Sequence, residues 1–226
     1  MPLLWESDRV RVGSMTQAVV CIVMGSANDW PIMQGAAEML ARFHIPYEVT
    51  VSSAHRAPQR TAALAHEAAQ RGVQVLIAGA GGAAHLPGVI AAETTLPVIG
   101  VPIDSSSLQG LDALLAMVQM PQGVPVATVA IGKAGAANAG ILAAQILALQ
   151  DADLAVRLHQ YKAELAAGVE QADATLQAQL QGQRDGSPAS RRFPVPGAGS
   201  ACGSTCCAPA RRGGGLSNRY SVWVGS

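Results

Sequence analysis

The residues best equipped for chemistry sit in one short stretch, "SSAHRAP" at 52–58, where an imidazole and a guanidinium are adjacent. An imidazole changes charge near neutral pH, so a histidine at 55 can deliver a proton and take one back. Arg56 offers a fork of donors that fits a phosphate, and Ser53 adds a hydroxyl. The chain has only 5 His and 15 Lys and Arg in 226 residues, so this pairing is unusual for its composition. A phosphate anchor beside a proton carrier is the chemistry it suggests. The plain alternatives are a surface ion pair for Arg56 and a structural role for His55.

Two other stretches carry matching residues. In "MGSANDW", 24–30, Ser26 and Asp29 have the S-x-x-D spacing of a helix capping box. The same helix start presents free N–H groups to a phosphate, and Asp29 can accept bonds from ribose hydroxyls. In "AGAGGAAHLPG", 78–88, Gly81 and Gly82 let backbone amides approach a ligand closely. His85 there either touches the ligand or caps the next helix. This loop is not the dinucleotide pattern, because Glu93 comes too early to serve as its acidic residue. "PIDSSSLQG" and "MPQGVPVAT" add polar atoms around the same mouth.

These loops need strands behind them, and the sequence supplies the strands. "AVVCIVM", 18–24, is a short β-branched run ending at Gly25-Ser26, which reads as a buried parallel strand. A helix follows over 29–43. Strands at 47–51, 73–79, 97–103 and 126–131 then alternate with helices at 58–71, 86–92, 108–118 and 134–149. This alternation predicts an α/β fold, a doubly wound parallel sheet between two helical layers. In such sheets ligands bind beyond the carboxyl ends of the strands, which is where the chemistry-bearing residues fall. The domain reading is a flexible leader at 1–16, a catalytic domain at 17–150, a long helix at 151–181 and a basic disordered tail at 182–226. Met15 is an alternative start. The helix carries an apolar stripe through Leu154, Leu158, Tyr161, Leu165, Val169 and Leu176, read as an oligomer contact.

Composition narrows the function classes. Half the residues are hydrophobic and 13% are charged, which demands a large core. Formal net charge is zero, against nucleic-acid binding driven by charge. The charge is segregated: residues 1–182 hold 9 basic and 14 acidic side chains, and residues 183–226 hold 6 and 1. No apolar run reaches the roughly 18 residues that span a bilayer. The N-terminus has no secretory signal pattern, and four cysteines make no disulfide framework in a chain this long. Cys202, Cys206 and Cys207 lack a nearby histidine or second pair, so no metal site is assigned. A cytoplasmic protein is expected.

"MGSANDW", "SSAHRAP", "AGAGGAAHLPG", "LPVIGVP", "MPQGVPVATVAIGKAGAANAG" and "ILAAQIL", in that order, resemble the 5-(carboxyamino)imidazole ribonucleotide mutase family of purine biosynthesis. The resemblance covers about residues 18–160. It implies a flavodoxin-like three-layer fold, a homo-octamer, and no metal or organic cofactor. It also implies that His55 is catalytic, that Ser26, Asp29, Ser53 and Arg56 bind the substrate phosphate and ribose, and that Gly81, Gly82 and His85 belong to the substrate site. The chain departs from the family at Asn28, usually Ser, and at Ala57, usually Thr. The Asn28 amide keeps a donor at the first position. The implied activity moves a carboxylate from the exocyclic nitrogen of the substrate to ring carbon C4. Direct carboxylation of aminoimidazole ribonucleotide by CO2 is the near alternative. A flavin carrier or a non-catalytic nucleotide-binding regulator is a distant one, since only 4% of residues are aromatic and no partner motif is present.

Overall fold

A computed structural model describes residues 10–12 and 17–186 of the chain. Six strands occur among them: β1 (Val10–Val12), β2 (Val20–Met24), β3 (Tyr47–Val51), β4 (Val75–Gly81), β5 (Val98–Ile103) and β6 (Ala127–Thr128). The helices are α1 (Trp30–Arg42), α2 (Pro58–Ala68), α3 (Leu86–Ala92), α4 (Leu111–Val118), α5 (Gly132–Leu147) and α6 (Ala152–Gly186). The sheet order is β1-β3-β2-β4-β5-β6. β2 to β6 are all parallel, and β1 joins the β3 edge antiparallel. This is the doubly wound, flavodoxin-like α/β arrangement that the strand and helix alternation predicts.

The alternation of side chains along β2 shows why the sheet needs helices on both faces. Val20, Ile22 and Met24 pack with Met33 and Leu40 of α1 and with Ala136 and Ala143 of α5. Cys21 and Val23 point the other way, among Leu64 of α2, Ile90 of α3 and Met117 of α4. A period of two with apolar residues at every position leaves neither face for water. Full burial of a side chain such as Ile22 or Ile77 stabilises the fold by about 2 kcal/mol. The one charged residue inside β3, Glu48, is buried and ion-paired with Arg71.

α1 and α5 approach until their backbones touch. A Cβ on Gly35 would lie 3.2 Å from the Lys133 carbonyl oxygen, and one on Gly140 would lie 2.7 Å from that of Ala36. The start of α6 packs on the end of α1: Phe43 meets Tyr161 edge-on at 5.5 Å, and the Arg42 guanidinium lies over the Tyr161 ring at 4.7 Å.

Boundaries shift from the sequence reading in places. β4 runs two residues further, to Gly81, and pairs with β5 as far as Ile103. β6 has two residues instead of six, as suits an edge strand with a single neighbour. β1 lies within the stretch read as a leader. Two units divide the chain after Thr175, and the whole sheet belongs to the first. Most of the segment read as a tail, with Cys202, Cys206 and Cys207, lies outside the described residues.

Candidate active site

The first loop leaves β2 at Gly25 and turns through Ala27–Asp29 into α1. Ser26 is extended at φ −148°, ψ 147°, and caps this turn. Its Oγ accepts the Asn28 N–H at 3.2 Å, and its own N–H donates to Asp29 Oδ2 at 3.1 Å. The capping box is therefore formed. Because Ser26 Oγ serves the turn only as an acceptor, its hydroxyl hydrogen is left to donate to a ligand. Asp29 is buried, and desolvation pushes its carboxyl pKa above the ordinary Asp value, opposed by the Ser26 N–H bond.

The second loop leaves β3 and is fastened at its base. Ser52 and Thr61 hydroxyls meet at 2.8 Å in the interior, and Thr61 Oγ1 donates to the Ala57 carbonyl at 3.2 Å. Pro58 then opens α2 at a position where its missing N–H costs nothing. Arg56 reaches across to the first loop, donating from Nη2 to the Gly25 carbonyl at 3.0 Å. Its Nε and its backbone N–H both donate to Ser53 Oγ at 3.3 Å. The guanidinium is thus oriented before any ligand arrives.

The third loop follows β4. Gly81 is closely packed there: a Cβ would fall 1.9 Å from Ser105 Oγ and 3.1 Å from the Ile103 carbonyl oxygen. Gly82 has φ +61°, a left-handed conformation that suits glycine. His85 stands at the start of α3, yet its side chain makes no capping bond. Instead its Nδ1 lies 2.8 Å from His55 Nε2, with the rings edge-on at 4.9 Å.

One cleft of about 200 Å³ gathers Ser26, Asp29, Ser53, His55, Arg56 and Gly81. Gly82 and His85 are not among its lining residues; His85 reaches it through His55. Ser105, on the loop after β5, lines the cleft and was not singled out by residue type. Its place directly after an apolar strand was the available signal. Leu86 and the alanines 54, 80 and 83 supply an unreactive wall. Among the described residues no group of three or more His, Cys, Asp or Glu is arranged to hold a metal ion. The cleft thus gathers serine hydroxyls, a guanidinium, a carboxylate and one imidazole, with a second imidazole bonded behind it.

A family model described as AIR carboxylase matches residues 19–168, which contain every one of these loops. The chain belongs to the AIR carboxylase family. A protein of Bacillus subtilis named N5-carboxyaminoimidazole ribonucleotide mutase is 58% identical over 144 residues, 64% of this chain and 89% of that protein. Proteins of the same name from Aliivibrio fischeri and Escherichia coli K12 are each 57% identical over 145 residues, 64% of this chain and 90% and 86% of theirs. The crystal structure of Treponema denticola PurE superposes with a TM-score of 0.64 at 28% identity, covering 70% of this chain and 97% of that one. The AIR carboxylase match ends at 168, whereas α6 continues to Gly186.

Proposed function

We propose that this chain is an N5-carboxyaminoimidazole ribonucleotide mutase, acting in de novo purine synthesis. The reaction moves the carboxylate from the exocyclic nitrogen to ring C4 of the same ribonucleotide. The reading is supported by the names of its relatives and, within the chain, by one observation. His55 stands in a cleft with an already oriented Arg56 and the Ser26–Asp29 capping turn.

In this mechanism Arg56, Ser53 and the Ser26 hydroxyl bind the phosphate, and Asp29 accepts from the ribose. Binding energy at that end holds the imidazole ring against His55. The protonated imidazole of His55 delivers its proton to the carbamate nitrogen. The N–C bond breaks, its electron pair stays on nitrogen, and CO2 is released into the cleft. C4 of the electron-rich ring attacks the CO2 carbon, and neutral His55 removes the C4 proton to restore aromaticity. One imidazole serves as acid and then as base, so no proton is gained or lost overall. The backbone of Gly81 and the alanine wall enclose CO2 without offering a competing nucleophile.

An assay of the purified protein on both imidazole ribonucleotides tests this proposal. Direct carboxylation of aminoimidazole ribonucleotide is the second reading, favoured by the description of the matching family model. Label decides between them. Substrate labelled in its carbamate carboxylate should give product that keeps most of the label in excess unlabelled bicarbonate, once non-enzymatic decarboxylation is subtracted. Label that equilibrates with the medium as fast as product forms would overturn the mutase reading.

A homo-octamer belongs to the same proposal. Support comes from aliphatic residues left exposed at helical spacing, Leu111, Leu115 and Val118 of α4 and Leu165 and Val169 of α6. Sedimentation analysis of the full chain tests the assembly. A cytoplasmic location is proposed with it, since a phosphorylated substrate does not cross a bilayer unaided.

A further inference from the structure

Three consecutive serines follow β5, at 105–107, and the fold uses them differently. Ser106 serves α4: its Oγ donates to Asp112 Oδ1 at 2.9 Å and accepts the Leu108 N–H at 3.2 Å. Ser105 lines the cleft, is exposed there, and its Oγ makes no hydrogen bond among the described residues. Gly81 makes room for that hydroxyl, since a Cβ at 81 would fall 1.9 Å from it. Among the described residues five side chains with a donor line the cleft: Ser26, Ser53, His55, Arg56 and Ser105. The mechanism above uses Ser26, Ser53 and Arg56 on the phosphate and His55 on the proton. Ser105 is the donor left over. The strand order β3-β2-β4-β5 sets its loop two strands from the Ser26 turn, about 10 Å at ordinary strand spacing. Asp29 lies in that turn, so a second anionic group on the ligand is repelled from it and favoured at the Ser105 side.

We propose that the Ser105 hydroxyl donates to the carboxylate of the substrate and is a specificity-determining residue, an inference that rests on reading this cleft as a site for carboxylated aminoimidazole ribonucleotide. Leu86 and the alanines around the cleft offer that carboxylate nothing in exchange for lost water. A hydroxyl beside Gly81 supplies a charge-assisted hydrogen bond there. The same bond is absent from the uncarboxylated nucleotide, so Ser105 distinguishes the two while the phosphate contacts do not.

Calorimetry on the full chain tests this with 4-carboxy-5-aminoimidazole ribonucleotide and with 5-aminoimidazole ribonucleotide, which lacks the carboxylate. Ser105→Ala should weaken the carboxylated nucleotide by about 10–100-fold and leave the uncarboxylated one within about twofold. An unchanged circular dichroism spectrum checks that the variant is folded. Arg56→Ala serves as the contrast: it should weaken both nucleotides alike, because both carry the phosphate. The proposal is overturned if Ser105→Ala weakens the two nucleotides equally, which would place Ser105 at the phosphate or in packing. It is also overturned if Ser105→Ala leaves both affinities unchanged. Wild-type protein that binds neither nucleotide would overturn the mutase reading and this inference together. Failure in Ser105→Ala alone, with both nucleotides bound by the wild type, would remove only the role of Ser105.

Discussion

His55 Nε2 lies 2.8 Å from His85 Nδ1, so one ring holds the proton of the other in place. Of two facing nitrogens at that distance, one donates and one accepts, and the tautomer of His55 is tied to that of His85. This makes His85 a positioning residue for His55. Replacing His55 by Asn should lower kcat by about 10²–10⁴-fold and leave substrate affinity within about tenfold. A mutant retaining more than a tenth of the rate would remove His55 from the mechanism. Replacing His85 by Phe keeps the ring's bulk and removes the bond. It should lower kcat by about 10–100-fold with KM little changed, and shift the pH–rate profile, which a merely structural role would not.

Arg56 is exposed and already bonded to Gly25 and Ser53. Removing it subtracts a charge-assisted contact to phosphate and unties the first loop from the second. Arg56→Ala should therefore raise KM by about 10–100-fold. An unchanged KM would place the phosphate elsewhere.

Asp29 gives a test in pH. Its folded pKa is raised by burial, so its contribution to stability is full below the unfolded pKa and is lost as pH rises through the folded one. As pH rises above the ordinary Asp range the chain should lose stability through this group, and Asp29→Asn should flatten that part of the profile. Urea midpoints measured across the range check the sign. A variant that falls in parallel with the parent would show that Asp29 ionises without cost in the fold.

Gly81 and Gly25 line the same cleft but should respond differently to alanine. A methyl at 81 meets Ser105 and the Ile103 carbonyl, whereas one at 25 meets nothing within 4 Å. Gly81→Ala should cost about 1–3 kcal/mol of stability, and Gly25→Ala should stay within about 0.5 kcal/mol. Chemical denaturation of both variants decides.

The chemistry-bearing loops were legible because each directly follows a β-branched run, and the Ser26–Asp29 spacing spelled out its own turn. α3 occupies the predicted 86–92 because Pro87 in its first turn marks its start. The contact between His55 and His85 was not legible. Thirty residues separate them, and they meet only because β3 and β4 both flank β2 in the sheet. Ser105 was legible only as part of the polar loop 102–110 at the mouth, since its approach to Gly81 depends on the register of β4 against β5. β1 was missed because three residues, Val-Arg-Val, are too short to show a period. Asp29's burial likewise needs the folded surroundings.

The backbone contact between α1 and α5 has a consequence for time as well as for space. Helices separated by long side chains can open by rotamer exchange, but Gly35 against Lys133 and Gly140 against Ala36 leave no side chain to rearrange. α1 and α5 must loosen together or not at all, as a single foldon. The turn that presents Ser26 runs straight into α1, so its anchoring inherits that resistance to opening. Amide hydrogen exchange should show α1 and α5 protected to the same degree, and more slowly exchanging than α4, whose outer face carries the exposed Leu111, Leu115 and Val118. The Ser26 turn would then be a rigid part of the cleft.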